Sequence, residues 1–236
     1  MVLGLRHAGW QSLNDGVFIL KGALARLKAV VFRQAPFENS QRYWLDRYRA
    51  GGNSGAGSYD HLALFKAGVI NNFVAEKRIA SVLEFGCGDG NQLRYANYPS
   101  YIGLDISPKA IAICKSLFGS DNTKTFDLTV NAKERRAELV LSLDVIFHLI
   151  EDDVFDAYMR DIFKSSTQYV IIYSSNTEVN EGNQPPHVRH RMFSCWIDNN
   201  APQWKLIRTV QNAYPYNGNH LTTSFSDFYM YELSSI

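Results

Sequence analysis

The run from Val82 to Gly90, V-L-E-F-G-C-G-D-G, constrains this chain more than any other segment, because residues fit for a buried strand pass directly into a turn crowded with glycine. Val82 to Phe85 make a short apolar run, and Gly86, Gly88 and Gly90 permit a tight turn and close backbone approach. Asp89 or Asn91 can cap a helix that the pattern predicts from about Gln92. The N-terminus of such a helix would offer unpaired N–H groups and partial positive charge to an anionic ligand group. A nucleotide-type ligand is the implication. The dinucleotide fingerprint G-x-G-x-x-G would need glycine where this chain has Asn91, which disfavours a dehydrogenase. The spacing present is E-x-G-x-G-x-G, beginning at Glu84.

With that spacing the chain resembles the class I, Rossmann-like S-adenosylmethionine-dependent methyltransferases, whose first motif is an acidic residue followed by G-x-G-x-G. Three further segments fit. The run Y-I-G-L-D-I from Tyr101 to Ile106 reads as a second strand ending in Asp105, roughly 20 residues past the glycine turn, where a carboxylate can accept both ribose hydroxyl protons. The run F-D-L-T from Phe126 follows a third strand-like stretch, and the resemblance implies that Asp127 meets the adenine amino group while the Leu128 N–H meets the ring. An Asp at a strand end also serves as an ordinary turn or cap residue. Leu139 to Leu149, L-V-L-S-L-D-V-I-F-H-L, resembles the fourth motif, a buried strand delivering Asp144 and a following loop to the methyl-transfer site. The resemblance therefore implies a cofactor site of Glu84, Gly86, Cys87, Gly88, Gly90, Asp105, Ile106, Asp127 and Leu128, with Glu84 holding either the loop or the cofactor's amino group. Cys87 has no paired spacing near it and reads as a small loop residue, not a nucleophile.

At 236 residues the chain can house one seven-stranded, mostly parallel α/β sheet with a helical N-terminal extension. We place the extension and a cofactor-covering segment at 1–79 and the methyltransferase core at 80–236. The formal charge of +1 leaves no large electrostatic footprint for DNA or RNA. Three cysteines at 87, 114 and 195 show neither paired nor C-x-x-C spacing, so no metal is expected and a reducing cytoplasm is. No stretch approaches the roughly 20 apolar residues a bilayer span requires. Residues 17–32 mix Lys21, Arg26 and Lys28 with apolar residues in a helical pattern that would suit a membrane surface, a partner, or simple packing on the chain's own domain.

Helices are predicted over His61 to Glu76, Pro108 to Phe118 with Ser107 as cap, and Asp152 to Phe163, with strands at 168–174, 204–210 and 225–233. The last two read as an antiparallel pair. The string from Tyr43 to Tyr59, with the glycine-rich loop 51–58, looks like N-terminal segments of bacterial methyltransferases often associated with surface-polysaccharide or related biosynthetic genes. By that likeness Tyr43, Arg47 and the loop would cover the cofactor, Arg47 being a candidate for its carboxylate. A solvated loop with a structural arginine is the alternative.

Methyl transfer needs alignment and exclusion of water more than covalent help, because the sulfonium is already activated. A hydroxyl acceptor benefits from a base, and Asp144 and His148 are the candidates in sequence. After the fifth strand, His187, Arg189, His190 and Arg191 concentrate cations within P-P-H-V-R-H-R-M-F, where an arginine fork could hold a carboxylate or phosphate on the acceptor. A solvated basic loop explains the same residues. The expected activity is transfer of the S-adenosylmethionine methyl to a small-molecule or glycan-type acceptor, at oxygen. The alternatives are an N-methylated, protein or RNA acceptor, and a non-catalytic cofactor-binding partner module. Oligomeric state is not legible.

Overall fold

The computed structural model describes residues 36–182 and 184–234. The helical pattern expected at 17–32 lies outside them. Phe37 onward forms one compact unit.

Seven strands make one sheet in the order β3-β2-β1-β4-β5-β7-β6. They are β1 (Val82–Phe85), β2 (Tyr101–Asp105), β3 (Lys124–Leu128), β4 (Ala137–Leu143), β5 (Ser166–Ser174), β6 (Trp204–Val210) and β7 (Asp227–Leu233). The first five are parallel, and β7 runs antiparallel to both neighbours, β5 and β6. The predicted mostly parallel sheet with its final antiparallel pair is the one observed.

The period of two in a strand divides the core cleanly. On one face Val82, Leu139, Leu141, Ile171, Tyr173, Phe228 and Met230 pack against α2 (Asp60–Lys77) and α3 (Pro108–Phe118). On the other, Leu83, Phe85, Val140, Val170, Ile172 and Tyr231 pack against α4 (Asp152–Ser165) and α5 (Phe193–Asn200). Strands covered on both faces read as continuous apolar runs, which is why β1 and β4 were visible in the sequence. Ser107 caps α3 through its side chain, accepting from Ala110 N–H at 3.3 Å, with Pro108 in the first turn.

The helix predicted after the glycine turn is not there. Gln92–Tyr95 forms a single 3₁₀ turn, followed by extended Ala96. Pro99 and the start of β2 at Tyr101 leave too little chain for an α-helix before the strand must begin. The anion-binding helix terminus expected there is therefore absent.

α1 (Ser40–Arg49) begins at Asn39, whose side chain accepts from Arg42 N–H at 2.7 Å. Its first residue is anchored on the loop entering α4: Ser40 N–H and Oγ both donate to the Glu151 carboxylate, at 3.0 and 2.6 Å, and Ile150 N–H donates to Ser40 Oγ at 2.9 Å. No helix among the described residues is long and apolar enough to cross a membrane.

Candidate functional site

The strand order reverses between β1 and β4, so a crevice opens beyond their carboxyl ends, where open α/β sheets bind ligands. The glycine turn lines it. Gly86, Gly88 and Gly90 have φ of 83°, 59° and 75°, a left-handed region that only glycine enters without strain. Space is also limiting, since a Cβ on Gly86 would stand 2.5 Å from Val145 Cγ2 and one on Gly88 would stand 2.2 Å from Ser54 Oγ.

Two buried carboxylates flank this turn. Asp105, at the end of β2, accepts from Gly88 N–H at 3.0 Å and Ser107 N–H at 2.8 Å. Burial pushes its pKa up to about 6 against the pull of those N–H groups. Each of its oxygens keeps a lone pair free for a further donor. Glu84, inside β1, accepts from Tyr101 OH at 2.6 Å, and burial pushes it up to about 7. Ile106 follows Asp105 and is half-buried. Cys87 lies buried beneath the turn, and its side chain hydrogen-bonds with that of Cys114, whose thiol also donates to Gly88 O at 3.2 Å. Cys87 thus has a neighbour that sequence spacing did not reveal.

At the end of β3 the Asp127 carboxylate accepts from Leu128 N–H and Asn131 Nδ2, both at 2.8 Å, with Arg135 at 3.5 Å. Its turn bonds are therefore real. Meeting an adenine as well would require sharing or exchanging one of them, and the Leu128 N–H already donates to its neighbour's carboxylate.

The segment between α1 and α2 closes over the glycine turn. Ser54 N–H donates to Asp89 Oδ2 at 2.9 Å, and Asp89 N–H donates back to Ser54 Oγ at 2.9 Å. Tyr48 OH shares a 2.8 Å bond with Ser54 Oγ, and Tyr59 OH donates to Asp89 Oδ2 at 2.8 Å. Arg47 spends its fork on this segment, donating from Nε to Asn53 O at 2.6 Å, from Nη2 to Asn53 Oδ1 at 3.3 Å and from Nη1 to Tyr43 OH at 3.4 Å. The structural alternative for Arg47 is the one its geometry supports.

Across the crevice Asp144, in a left-handed conformation with φ of 57°, ends β4. Its Oδ2 pairs with Lys66 Nζ at 2.7 Å and its Oδ1 accepts from Ser226 Oγ at 3.0 Å. Lys66 was missed in the sequence. It sits on α2 four residues from both Leu62 and Ile70, a charged residue on the buried face, and that placement was the available signal.

His148 lies one turn beyond. Its Nδ1 is 2.8 Å from the His187 carbonyl, which can only accept, so Nδ1 carries the proton and Nε2 keeps the lone pair. Burial pushes its pKa down to about 4. Tyr43 stacks on His187 with ring centroids 4.1 Å apart, and Trp44 meets His148 edge-on at 4.9 Å. α1 thereby brings two aromatic rings to the histidines. His190 shares a 2.7 Å bond with Ser175 Oγ and packs edge-on against Phe225.

Arg189 and Arg191 need correction as acceptor-binding forks. Arg191 donates from Nε to Leu149 O at 3.0 Å, from Nη2 to Ile150 O at 2.8 Å and from Nη1 to Asp152 Oδ1 at 2.7 Å. Arg189 donates to Ile150 O at 2.8 Å and pairs with Asp152 at 2.9 Å. Loop carbonyls and a carboxylate at the start of α4 supply the anionic partners that the sequence reading left for a ligand.

A family model described as a methyltransferase domain matches residues 59–209, well over half of the chain. No curated protein sequence matches it. Among solved structures, the N-methyltransferase NodS from Bradyrhizobium japonicum WM9, in complex with S-adenosyl-L-homocysteine, is 11% identical, with a TM-score of 0.64 over 84% of this chain and 100% of that one. Magnesium protoporphyrin IX methyltransferase from Synechocystis PCC 6803, with bound S-adenosylhomocysteine, is 14% identical, with a TM-score of 0.60 over 83% of this chain and 100% of that one. The methyltransferase domain of a bacterial Hen1 is 17% identical, with a TM-score of 0.56 over 73% and 98%. At these identities the likeness is one of fold.

Proposed function

The chain belongs to the methyltransferase-domain family, and from that premise we propose that it moves the methyl group of S-adenosylmethionine to an oxygen of a small-molecule or glycan-type acceptor. The residues fit that cofactor. Gly86 and Gly88 leave backbone surface where any side chain would collide, and Asp105 presents a buried carboxylate with free lone pairs suited to a ribose diol. Asp127 and Leu128 stand at the adjacent strand end for the adenine. When bound, the cofactor supplies an already activated methyl group.

The chain's own groups would orient the acceptor and exclude water. His148 presents a neutral Nε2 lone pair to the crevice side of its ring, and an acceptor hydroxyl placed there could give up its proton to it. Asp144, paired with Lys66, is the other member of the proposed catalytic pair. His187 and His190, rather than the arginines beside them, are the members of the 187–191 segment that we assign to acceptor binding.

The acceptor class rests on the loop from Gln211 to Ser226. It lies beyond the carboxyl ends of the parallel strands, since Ser174 pairs with Asp227 and Ser226 reaches Asp144. It contains no Asp, Glu, Lys or Arg, and it exposes Tyr214, Tyr216 and Leu221 at 38%, 51% and 65%. Aromatic faces among amides and hydroxyls suit a sugar ring or other uncharged acceptor and offer nothing to a phosphate backbone. The likeness of residues 43–59 to methyltransferases associated with surface-polysaccharide genes points the same way. We place the enzyme in a reducing cytoplasm, consistent with free Cys87, Cys114 and Cys195.

The test is transfer of labelled methyl from S-adenosylmethionine into cell extract, fractionated into small molecules, glycans, protein and nucleic acid. Label in a base-stable ether of the first two fractions is the expected result. Label in protein or RNA, or on nitrogen, replaces the acceptor, and no transfer by a protein that binds the cofactor makes it a binding module.

A further inference from the structure

Lys66 is the most deeply buried charge in the described chain, with 1% of its surface exposed. An ammonium has three donors, and the hydrogen bond Lys66 makes among the described residues is the one to Asp144. Removing such a group from water is costly unless its donors are met. Its helix face otherwise consists of Leu62, Ala63, Ala67, Ile70 and Phe73, so packing alone gives no reason for a lysine there.

Its position supplies one. Asp144 lies at the end of β4 beside β1, and Gly86, the first residue of the glycine turn, is pressed against Val145, the residue after Asp144. The pair therefore borders the turn. Gly57 of the covering segment lies over it, where a Cβ would stand 2.9 Å from Asp144 Oδ2 and 4.0 Å from Lys66 Nζ. Glu84 is close enough to feel the charge of Lys66. Arg47, the other cation of this region, is occupied by Asn53 and Tyr43.

We infer that Lys66 and Asp144 form the seat for the amino-acid end of the cofactor, the Lys66 ammonium taking its carboxylate and the Asp144 carboxylate its ammonium. This rests on the S-adenosylmethionine reading above. A zwitterion laid across an existing ion pair gives each buried charge a second partner of opposite sign and leaves the net charge of the site unchanged. Gly57 leaves room for that end of the ligand beneath the covering segment.

Calorimetric titration of the full chain with S-adenosylhomocysteine and with 5′-methylthioadenosine, which lacks the amino-acid end, tests the assignment. Lys66→Met should weaken S-adenosylhomocysteine tenfold or more and leave 5′-methylthioadenosine within twofold of wild type. Equal loss of both ligands, or loss of neither, overturns it. Arg47→Met keeps the test decisive if Lys66→Met does not fold: it should weaken both ligands by the same factor, and a loss confined to S-adenosylhomocysteine would move the carboxylate to Arg47. Wild type binding neither ligand would instead overturn the cofactor reading on which the inference stands.

Discussion

Ser54 and Asp89 hold each other twice, each donating its backbone N–H to the other's side-chain oxygen at 2.9 Å. The reciprocal pair fastens the covering segment to the glycine turn across 35 residues of chain. Ser54→Ala removes one of the two bonds and the Tyr48 contact, a change of about 1 to 2 kcal/mol. Amide exchange at residues 53–58 should accelerate roughly tenfold while exchange in β1 and β4 stays at wild-type rates. Unchanged exchange in the segment would show that it is held by something else.

The frame of the fold was legible because it is written in local patterns: β1 and β4 as apolar runs, α2 and α4 in their periodicity, Ser107 and Pro108 as a start signal. The glycine turn and Asp105 were equally visible. What escaped were long-range relationships. Lys66 was hidden inside a helix counted for its apolar residues, and its partner Asp144 lies 78 positions away. Arg189 and Arg191 looked like free cations because the carbonyls of Leu149 and Ile150 that they cap carry no mark in a sequence. The helix after Asn91 was expected from its cap, whereas the short distance to β2 decides the matter.

Glu84→Gln should stabilise the ligand-free protein in a pH-dependent way. With a folded pKa of about 7 against an ordinary 4.5, the fold favours the protonated acid. The stability this proton contributes is complete below the ordinary value and is lost as pH rises through the folded one. Glutamine mimics the protonated state throughout and can still accept from Tyr101. The stability gap between variant and wild type should therefore widen from pH 5 to pH 8, by up to about 3 kcal/mol. Denaturant titrations at the two pH values that gave a constant gap would contradict a buried, strained carboxylate.

If His148 accepts the hydroxyl proton, its depressed pKa of about 4 leaves it neutral across the working range. The acid limb of the rate profile should then fall near that value rather than near the ordinary histidine pKa of about 6.5. His148→Ala should lower turnover by roughly 100-fold with affinity for S-adenosylhomocysteine retained. Parallel loss of affinity and thermal stability would make the residue structural.

Arg191 is a brace, with only 10% of its side chain exposed and its guanidinium spread over two carbonyls and Asp152. Arg191→Ala should cost about 2 to 3 kcal/mol of stability. The acceptor KM of the folded fraction should not move. A raised KM with an unchanged melting temperature would return this arginine to the acceptor site.

The central claim is that the glycine turn and Asp105 hold S-adenosylmethionine, and direct calorimetric titration of the purified chain with S-adenosylhomocysteine tests it most simply. The account predicts one-to-one binding with a dissociation constant in the micromolar range, about −8 kcal/mol, weakened tenfold or more by Asp105→Ala, with no binding of NAD. A folded wild-type protein that takes up no S-adenosylhomocysteine, or that binds NAD in its place, would contradict it.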